Sequence, residues 1–352
     1  MTAGLESGPR CPAPAMDQDR VQLGHGSGGK MSAALLERVF LPRLGNPSLS
    51  QLGDAAVLAA PTEELAFSTD TYVVHPLEFP GGDIGKLAVH GTVNDIAMMG
   101  ATPKYLAVGF VLEEGLEMAL LDRIVHSVAT AAESCGVQVV TGDTKVVERG
   151  QADGLYLNST GIGWISPDFR PRPEAARAGD VIIVSGPLGQ HGMAIMAARE
   201  GLRFEAEIES DSAPLHHMVA ALRSRVGSSV HSLRDPTRGG LASTLNEIAA
   251  AAGVGMTLRE ESIMVPGPVR AACEMLGLDP LYVANEGVMV ALVEPALADE
   301  ALAAISSHPA GAGARIVGRV TGEHPGLVVL ETAIGGSRVV DMLPGDQLPR
   351  IC

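Results

Sequence analysis

Gly82-Asp83-Ile84-Gly85-Lys86-Leu87-Ala88-Val89-His90-Gly91-Thr92-Val93-Asn94-Asp95-Ile96-Ala97-Met98-Met99 has the spacing of a helix laid against a core. Val89, Val93 and Ile96 recur at three- and four-residue intervals on one face. Lys86, His90 and Asn94 fall at i, i+4 and i+8, a polar stripe with Asp95 alongside. A solvated face is the plain reading of such a stripe. Asn and Asp, however, compete with the helix backbone for hydrogen bonds and are poor mid-helix residues, so the adjacent pair among apolar neighbours points to a ligand. Outward from this helix lie apolar strand candidates near Leu65–Ser68, Tyr105–Leu112, Val137–Thr141 and Leu155–Ile165, and helix candidates at Ser32–Phe40 and Leu116–Cys135. Strands alternating with helices in this way indicate an α/β (α+β) fold.

At 352 residues the chain is about twice the usual domain size, so two cores are expected. The prolines of Ser166-Pro167-Asp168-Phe169-Arg170-Pro171-Arg172-Pro173 forbid helix and central strand alike and mark the boundary. Residues 1–20 read as a disordered extension, 21–166 as one domain and 174–343 as a second. The second opens with Val181-Ile182-Ile183-Val184-Ser185, continues through a helix near His191–Glu200, and reaches Asp235-Pro236-Thr237-Arg238-Gly239-Gly240. A helix begins there, with Leu241, Leu245, Ile248 and Ala252 on one face and Asp235 and Thr237 as cap candidates. Later strands are expected near Val288–Val293, Ala314–Val317 and Leu327–Leu330. Residues 344–352 have no periodicity and read as a flexible tail that carries the thiol of Cys352.

With 41 acidic and 25 basic residues the formal charge is −16, the opposite of a nucleic-acid-binding footprint, and 3% aromatic residues leave little for base stacking. An ATP site in so acidic a chain requires Mg²⁺ to bring the polyphosphate in. No uncharged apolar run approaches the roughly 18 residues of a membrane span, and Met1 to Arg20 lacks the apolar centre of a signal peptide, so a cytoplasmic location is expected. Cys11, Cys135, Cys273 and Cys352 show no C-x-x-C spacing, which argues against a zinc ribbon or dithiol motif. Cys135 and Cys273 read as small buried hydrophobes.

Gly24-His25-Gly26-Ser27-Gly28-Gly29-Lys30-Met31 nearly satisfies the P-loop pattern, but Met31 replaces the hydroxyl that would hold Mg²⁺. Its glycines still permit close approach to an anion at a helix start. Asp54, Asp70 and Asp143 stand at or beside strand candidates. A charge at a buried strand end is costly unless paired or metal-bound, so the set suggests a hard cation. Lys145 is a candidate partner for phosphate or carboxylate, and Glu286, just before a strand, a candidate base.

Together Gly24–Lys30, Phe67–Pro76, Val93–Ala101, Thr141–Val147, Asp235–Gly240 and the closing Pro349-Arg350-Ile351-Cys352 resemble the HypE family of hydrogenase maturation proteins. That family lies within the PurM-like superfamily of aminoimidazole ribonucleotide synthetase, selenophosphate synthetase and thiamine-phosphate kinase. The resemblance implies a PurM-like architecture of an N-terminal ATP-binding domain that pairs with its copy in a homodimer and a C-terminal α+β domain over the nucleotide. It implies nucleotide contacts from Gly28, Gly29, Asp54, Asp70, Thr71, Asn94, Asp95, Asp143, Asp235 and Thr237, with Mg²⁺ on Asp54, Asp70, Asn94, Asp95 and Asp143. It implies that Cys352 receives a carbamoyl group from a HypF-like carbamoyltransferase, and that ATP-dependent dehydration, with Lys145 and Glu286 in catalytic roles, yields a thiocyanate. The cyano group then passes to iron on a HypC–HypD complex. One departure is Gly53-Asp54-Ala55, where relatives often carry two acidic residues. Alternatives are another ATP-dependent enzyme of the superfamily or a non-catalytic nucleotide-binding scaffold. Selenophosphate synthetase would want a reactive Cys near Gly24–Met31, and thiamine-phosphate kinase has no use for Cys352.

Overall fold

The computed structural model describes residues 29–35, 37, 56–59, 64–202, 207–343, 345, 348 and 350–352. The expected 1–20 extension, Gly28 and Asp54 lie outside them. After a short helix α1 (Lys30–Leu35), the first half contains β1 (Ala56–Ala59), β2 (Glu64–Tyr72), β3 (Glu78–Phe79), β4 (Gly82–Asp83), α2 (Ile84–Met98), β5 (Ala101–Glu113), α3 (Met118–Ser134), β6 (Gln138–Val147) and β7 (Leu155–Ile165). Five strands form one sheet in the order β1-β2-β7-β5-β6. Its parallel pair, β5 and β6, is joined by the crossover helix α3. Along β7 every second residue is buried, so the sheet presents one face to α2 and α3 and leaves the other open. Cross-strand register places Phe67 opposite Ile162 and Leu65 opposite Trp164. On that open face Phe67 is 37% exposed and Tyr105 41%.

Helix α2 starts where the Asp83 carboxylate accepts from the N–H groups of Gly85 (2.7 Å) and Lys86 (3.0 Å). Nearly all of it is buried, because the sheet covers one side and the second half of the chain covers the other. The polar stripe therefore has a different use from the one its spacing suggested. His90 Nδ1 lies 3.2 Å from Ser212 Oγ. The Asn94 amide donates to the carbonyls of Ala213 (3.0 Å) and Glu286 (3.3 Å), and its oxygen accepts from Leu215 N–H (2.7 Å).

The second half contains β8 (Val181–Val184), α4 (Gln190–Glu200), α5 (His216–Val226), β9 (Val230–Arg234), α6 (Gly240–Ala252), β10 (Gly255–Arg259), α7 (Gly267–Leu276), β11 (Val290–Val293), α8 (Ala298–Ser306), β12 (Arg315–Thr321), β13 (Val328–Glu331) and β14 (Ser337–Val340). Seven strands form a mixed sheet, β14-β13-β10-β12-β8-β11-β9. Its central strands are continuous apolar runs because both faces are covered. Ile182, Val184 and Leu292 pack with Leu241, Leu245 and Ile248 of α6. Ile183, Ala291 and Val293 pack with Met218 and Leu222 of α5 and Ile305 of α8. The proline-rich boundary is not a slack linker, since Phe169 is fully buried between Ala97 and Met98 of α2 and Leu215.

Residues 348 and 350–352, expected to belong to a flexible tail, are docked. Leu348 and Ile351 are each 5% exposed and join the core beneath α2. Beyond β2, Val73 N–H donates to the Cys352 carbonyl (3.1 Å) and His75 N–H to that of Arg350 (3.3 Å). Two separated apolar plugs on a strand edge leave no period for a sequence reading to find. Among the described residues no helix is long and apolar enough to cross a membrane.

Candidate active site

The end of β2, the middle of α2, the turn between β9 and α6, and Glu286 ahead of β11 converge on a cavity of about 260 Å³, lined in part by Asp70, Asp95, Asp235, Arg238, Glu286 and Cys352. Strand alternation puts Ser68, Asp70 and Tyr72 on the helix-facing side of β2. Asp70 accepts from the Tyr72 hydroxyl (3.2 Å), and Asp95 accepts from the Ser68 hydroxyl (2.6 Å). One turn before Asp95, Gly91 forms the floor. A Cβ there would lie 2.2 Å from the Tyr72 hydroxyl oxygen.

On the opposite wall, Asp235 and Thr237 do not cap α6. The N-cap is Gly239, in the left-handed region at φ 75°, and Asp235 and Thr237 turn into the cavity. Gly240 follows at φ 60°, where a Cβ would stand 2.5 Å from the Leu281 carbonyl. The adjoining loop is held by Asn285, whose oxygen accepts from Gly189 N–H (2.7 Å) and whose amide donates to the carbonyls of Pro236 (2.9 Å) and Val283 (3.1 Å). Glu286 N–H donates to Asp211 Oδ1 (3.1 Å).

This packing crowds carboxylates in a poorly hydrated space. Burial, then the charges of Asp235, Asp211 and Asp70, push the Glu286 carboxyl well above its ordinary value, and Arg238 opposes them. Burial raises Asp235 to about 6, against the attraction of Arg234, and raises Asp211 to about 6 against several backbone N–H donors. Arg238, on the exposed rim, is held more firmly protonated, chiefly by negative charge on Cys352. Cys135 and Cys273 are buried, as expected, and burial raises both thiols to about 11.

Of the residues expected at the site, Asp70, Thr71, Asp95, Asp235, Thr237, Glu286 and Cys352 line the cavity. Asn94 is not among the residues lining the cavity, its amide being engaged in joining α2 to the second half of the chain. Gly29 packs instead against the backbone of Leu343, whose carbonyl would lie 2.4 Å from a Cβ. Asp143 and Lys145 occupy β6, opposite Gly109 and Val111, and only their backbone positions are described. With β7 and β5 between β6 and β2, about 4.8 Å per strand separates them from Asp70 by roughly 14 Å within one chain. Arg234, Arg238, Tyr72, Gly91 and Asp211 were not singled out from the sequence. Arg238 sits inside a quoted motif, whereas Asp211 carries no local signal.

Among the described residues no group of three His, Cys, Asp or Glu side chains is arranged to hold a metal by itself. The hard oxygens of Asp70 and Asp95 on one wall fit the usual habit of Mg²⁺, which takes one or two protein carboxylates and completes its shell with water and phosphate.

Two family models match: AIR synthase related protein, N-terminal domain, over residues 52–165, and AIR synthase related protein, C-terminal domain, over residues 177–330. The carbamoyl dehydratase HypE of Azotobacter vinelandii is 53% identical over 332 residues, covering 94% of this chain and 97% of that protein. A crystal structure of a HypE–HypF complex matches with a TM-score of 0.84 at 44% identity, covering 88% of this chain and 100% of that one. The hydrogenase maturation protein HypE crystallised in complex with ATP matches with a TM-score of 0.80 at 49% identity, covering 93% and 98%.

Proposed function

The chain belongs to the carbamoyl dehydratase HypE family, and from that premise we propose that the cavity shared by Asp70, Asp95, Glu286 and Cys352 is where its dehydration takes place. The protein is an ATP-dependent carbamoyl dehydratase, converting an S-carbamoyl cysteine to a thiocyanate for the cyanide ligands of [NiFe]-hydrogenase. The observation that carries the site assignment is that the Cys352 end of the chain and the buried carboxyl of Glu286 line one cavity.

The oxygen of S–C(=O)–NH₂ is a poor leaving group. ATP supplies a phosphoryl group to that oxygen, forming a C–O–P linkage with ADP as the other product, while the first N–H proton is lost to solvent and the C–N bond becomes double. Glu286 takes the remaining N–H proton, the C–O bond breaks, and phosphate departs with the electron pair as C≡N forms. Burial suits Glu286 to this task, because a carboxylate deprived of water is a stronger base, and Arg238 keeps its ionised form accessible. Asp70 and Asp95 would hold Mg²⁺, which supplies charge neutralisation at the phosphates.

The proposed homodimer is supported by two features: the uncovered apolar face with Phe67, Tyr105 and Trp164, and the distance of Asp143 and Lys145 from Asp70, which a second copy would bridge by bringing its β6 to this cavity. A HypF-like carbamoyltransferase is the proposed donor, supported by the relative solved with HypF, and a HypC–HypD complex the proposed acceptor, in the cytoplasm. Intact mass of the carbamoylated protein, read before and after ATP, tests the site. Native protein is expected to lose the mass of one water, and Glu286→Gln to keep the carbamoyl group. Native protein that keeps it would support the scaffold reading, and a Glu286→Gln variant that loses it would remove Glu286 from the chemistry.

A further inference from the structure

Glu286 is held by its main chain at both ends. Its N–H donates to Asp211 Oδ1 (3.1 Å), and its carbonyl accepts from the Asn94 amide (3.3 Å) and from Ala213 N–H (3.5 Å). Asn94 is fixed in this contact, because its oxygen accepts from Leu215 N–H (2.7 Å) and its nitrogen also donates to the Ala213 carbonyl (3.0 Å). The segments around 211 and 287 lie directly against each other. A Cβ on Gly287 would stand 1.8 Å from the Asp211 carbonyl oxygen, so only glycine fits there.

The segment that carries Asp211 is fastened in turn to the first half of the chain. Ser210 N–H donates to the carbonyl of Pro80 (2.8 Å), in the turn between β3 and β4, and Ser212 Oγ lies 3.2 Å from His90 Nδ1 on α2. Ser210 Oγ accepts from Ser212 N–H (3.1 Å) and stiffens the stretch between these ties. Glu286 therefore belongs to the second half by sequence, yet its main chain is located by groups tied to α2, the helix whose Asp95 lines the same cavity. The Asp211 charge gives the fold nothing in return. Burial raises its carboxyl to about 6, so the ionised form lowers stability at neutral pH. Asp211 does not line the cavity, so whatever it does for the chemistry it does through Glu286.

We propose that Asp211 is a positioning residue for the dehydration, which, with Asn94 as its counterpart at the carbonyl, aims the Glu286 carboxyl at the group carried on Cys352. The proposal rests on Glu286 being the base. A base must come within hydrogen-bond reach, about 3 Å, of the proton it takes, and a side chain can be aimed no better than the backbone it hangs from. The grip on residue 286 sets that backbone, and it sets it relative to Asp95, so base and phosphate-side carboxylate keep one register across the two halves of the chain.

Single-turnover dehydration of the carbamoylated full chain, followed by intact mass over a series of Mg-ATP concentrations on the high-pH plateau of the native rate, separates positioning from nucleotide binding and from the acidity of Glu286. Asp211→Ala is expected to be slowed about a hundredfold at saturating Mg-ATP, the scale of a misplacement of about 1 Å, with an unchanged half-saturating concentration. Asp211→Asn, which keeps an oxygen facing Glu286 N–H, recovers most of the rate. A native rate in Asp211→Ala, or a rate in Asp211→Asn as low as in Asp211→Ala, overturns the proposal. Should Asp211→Ala not fold, Asn94→Ala, which frees the carbonyl end, makes the same comparison, and a native rate there overturns the proposal equally. Glu286→Gln run alongside distinguishes the two claims: a native rate in it removes the base and this proposal together, whereas an inactive Glu286→Gln beside a native Asp211→Ala removes this proposal alone.

Discussion

Alanine at position 91 would place its methyl carbon 2.2 Å from the Tyr72 hydroxyl oxygen, with the next ring atoms at 3.2 and 3.4 Å. Tyr72 has nowhere to retreat, being 3% exposed, packed in the core and bonded to Asp70. Gly91→Ala should therefore destabilise the protein by about 2–3 kcal/mol, the range for overpacking a filled core. Tyr72→Phe removes the clashing oxygen at the loss of one hydrogen bond, about 1 kcal/mol, and leaves the nearest contact at 3.2 Å. The double variant should then cost little more than Tyr72→Phe alone, giving a favourable coupling of about 2 kcal/mol. Urea unfolding of the four proteins measures the cycle, and calorimetry of Mg-ATP binding reports whether the cavity floor has moved. A double variant that costs the sum of the single ones would refute the argument, as would Gly91→Ala within about 0.5 kcal/mol of native.

Single-turnover dehydration should accelerate as pH rises through the Glu286 pKa, because burial and then Asp235 keep that carboxyl protonated. Asp235→Asn should shift this limb to lower pH, and an unmoved limb would discard the coupling. For Asp211, the folded protein binds protons more tightly than the unfolded chain from the ordinary 3.8 up to about 6, so stability falls as pH rises across that window. Asp211→Asn, which retains the oxygen facing Glu286 N–H, should be more stable than native at neutral pH by about 2 kcal/mol, a gap that narrows on acidification; urea midpoints at two pH values check it. Asp70→Asn and Asp95→Asn should each weaken Mg-ATP binding tenfold or more on the order of a lost metal carboxylate, with unchanged unfolding curves, and native affinity in both would withdraw them as ligands. Asn94→Ala should instead lower stability by about 2–4 kcal/mol, since it strips hydrogen bonds between the halves of the chain, and an unaltered denaturation midpoint would contradict that role.

Local pattern reached far into this protein. Apolar period located α2 and the strands around it, prolines at 167, 171 and 173 marked the change of sheet, and isolated carboxylates at strand ends pointed to Asp70, which lines the cavity. These features depend on neighbours within one turn or one strand, where the chain's own geometry dictates which side chains share a face. What lies opposite a face is another matter. Asn94 and Asp95 are adjacent in sequence, yet the helical rotation between them sends one into the seam against residues 213–215 and 286 and the other into the cavity. Strand order, set by long-range pairing, parted Asp143 and Lys145 from Asp70. Asp211 and His191 acquire their meaning only from residues brought beside them by folding, Glu286 for one and Ile351 for the other. Residues 350–352 looked unstructured because their partners are backbone groups of β2's extension and donors on α4, contacts that a sequence does not encode by periodicity. Which residues can do chemistry was thus written in residue type and spacing. Which of them meet was decided by tertiary packing, because the carbonyl, carboxylate and guanidinium that complete each group come from distant parts of the chain.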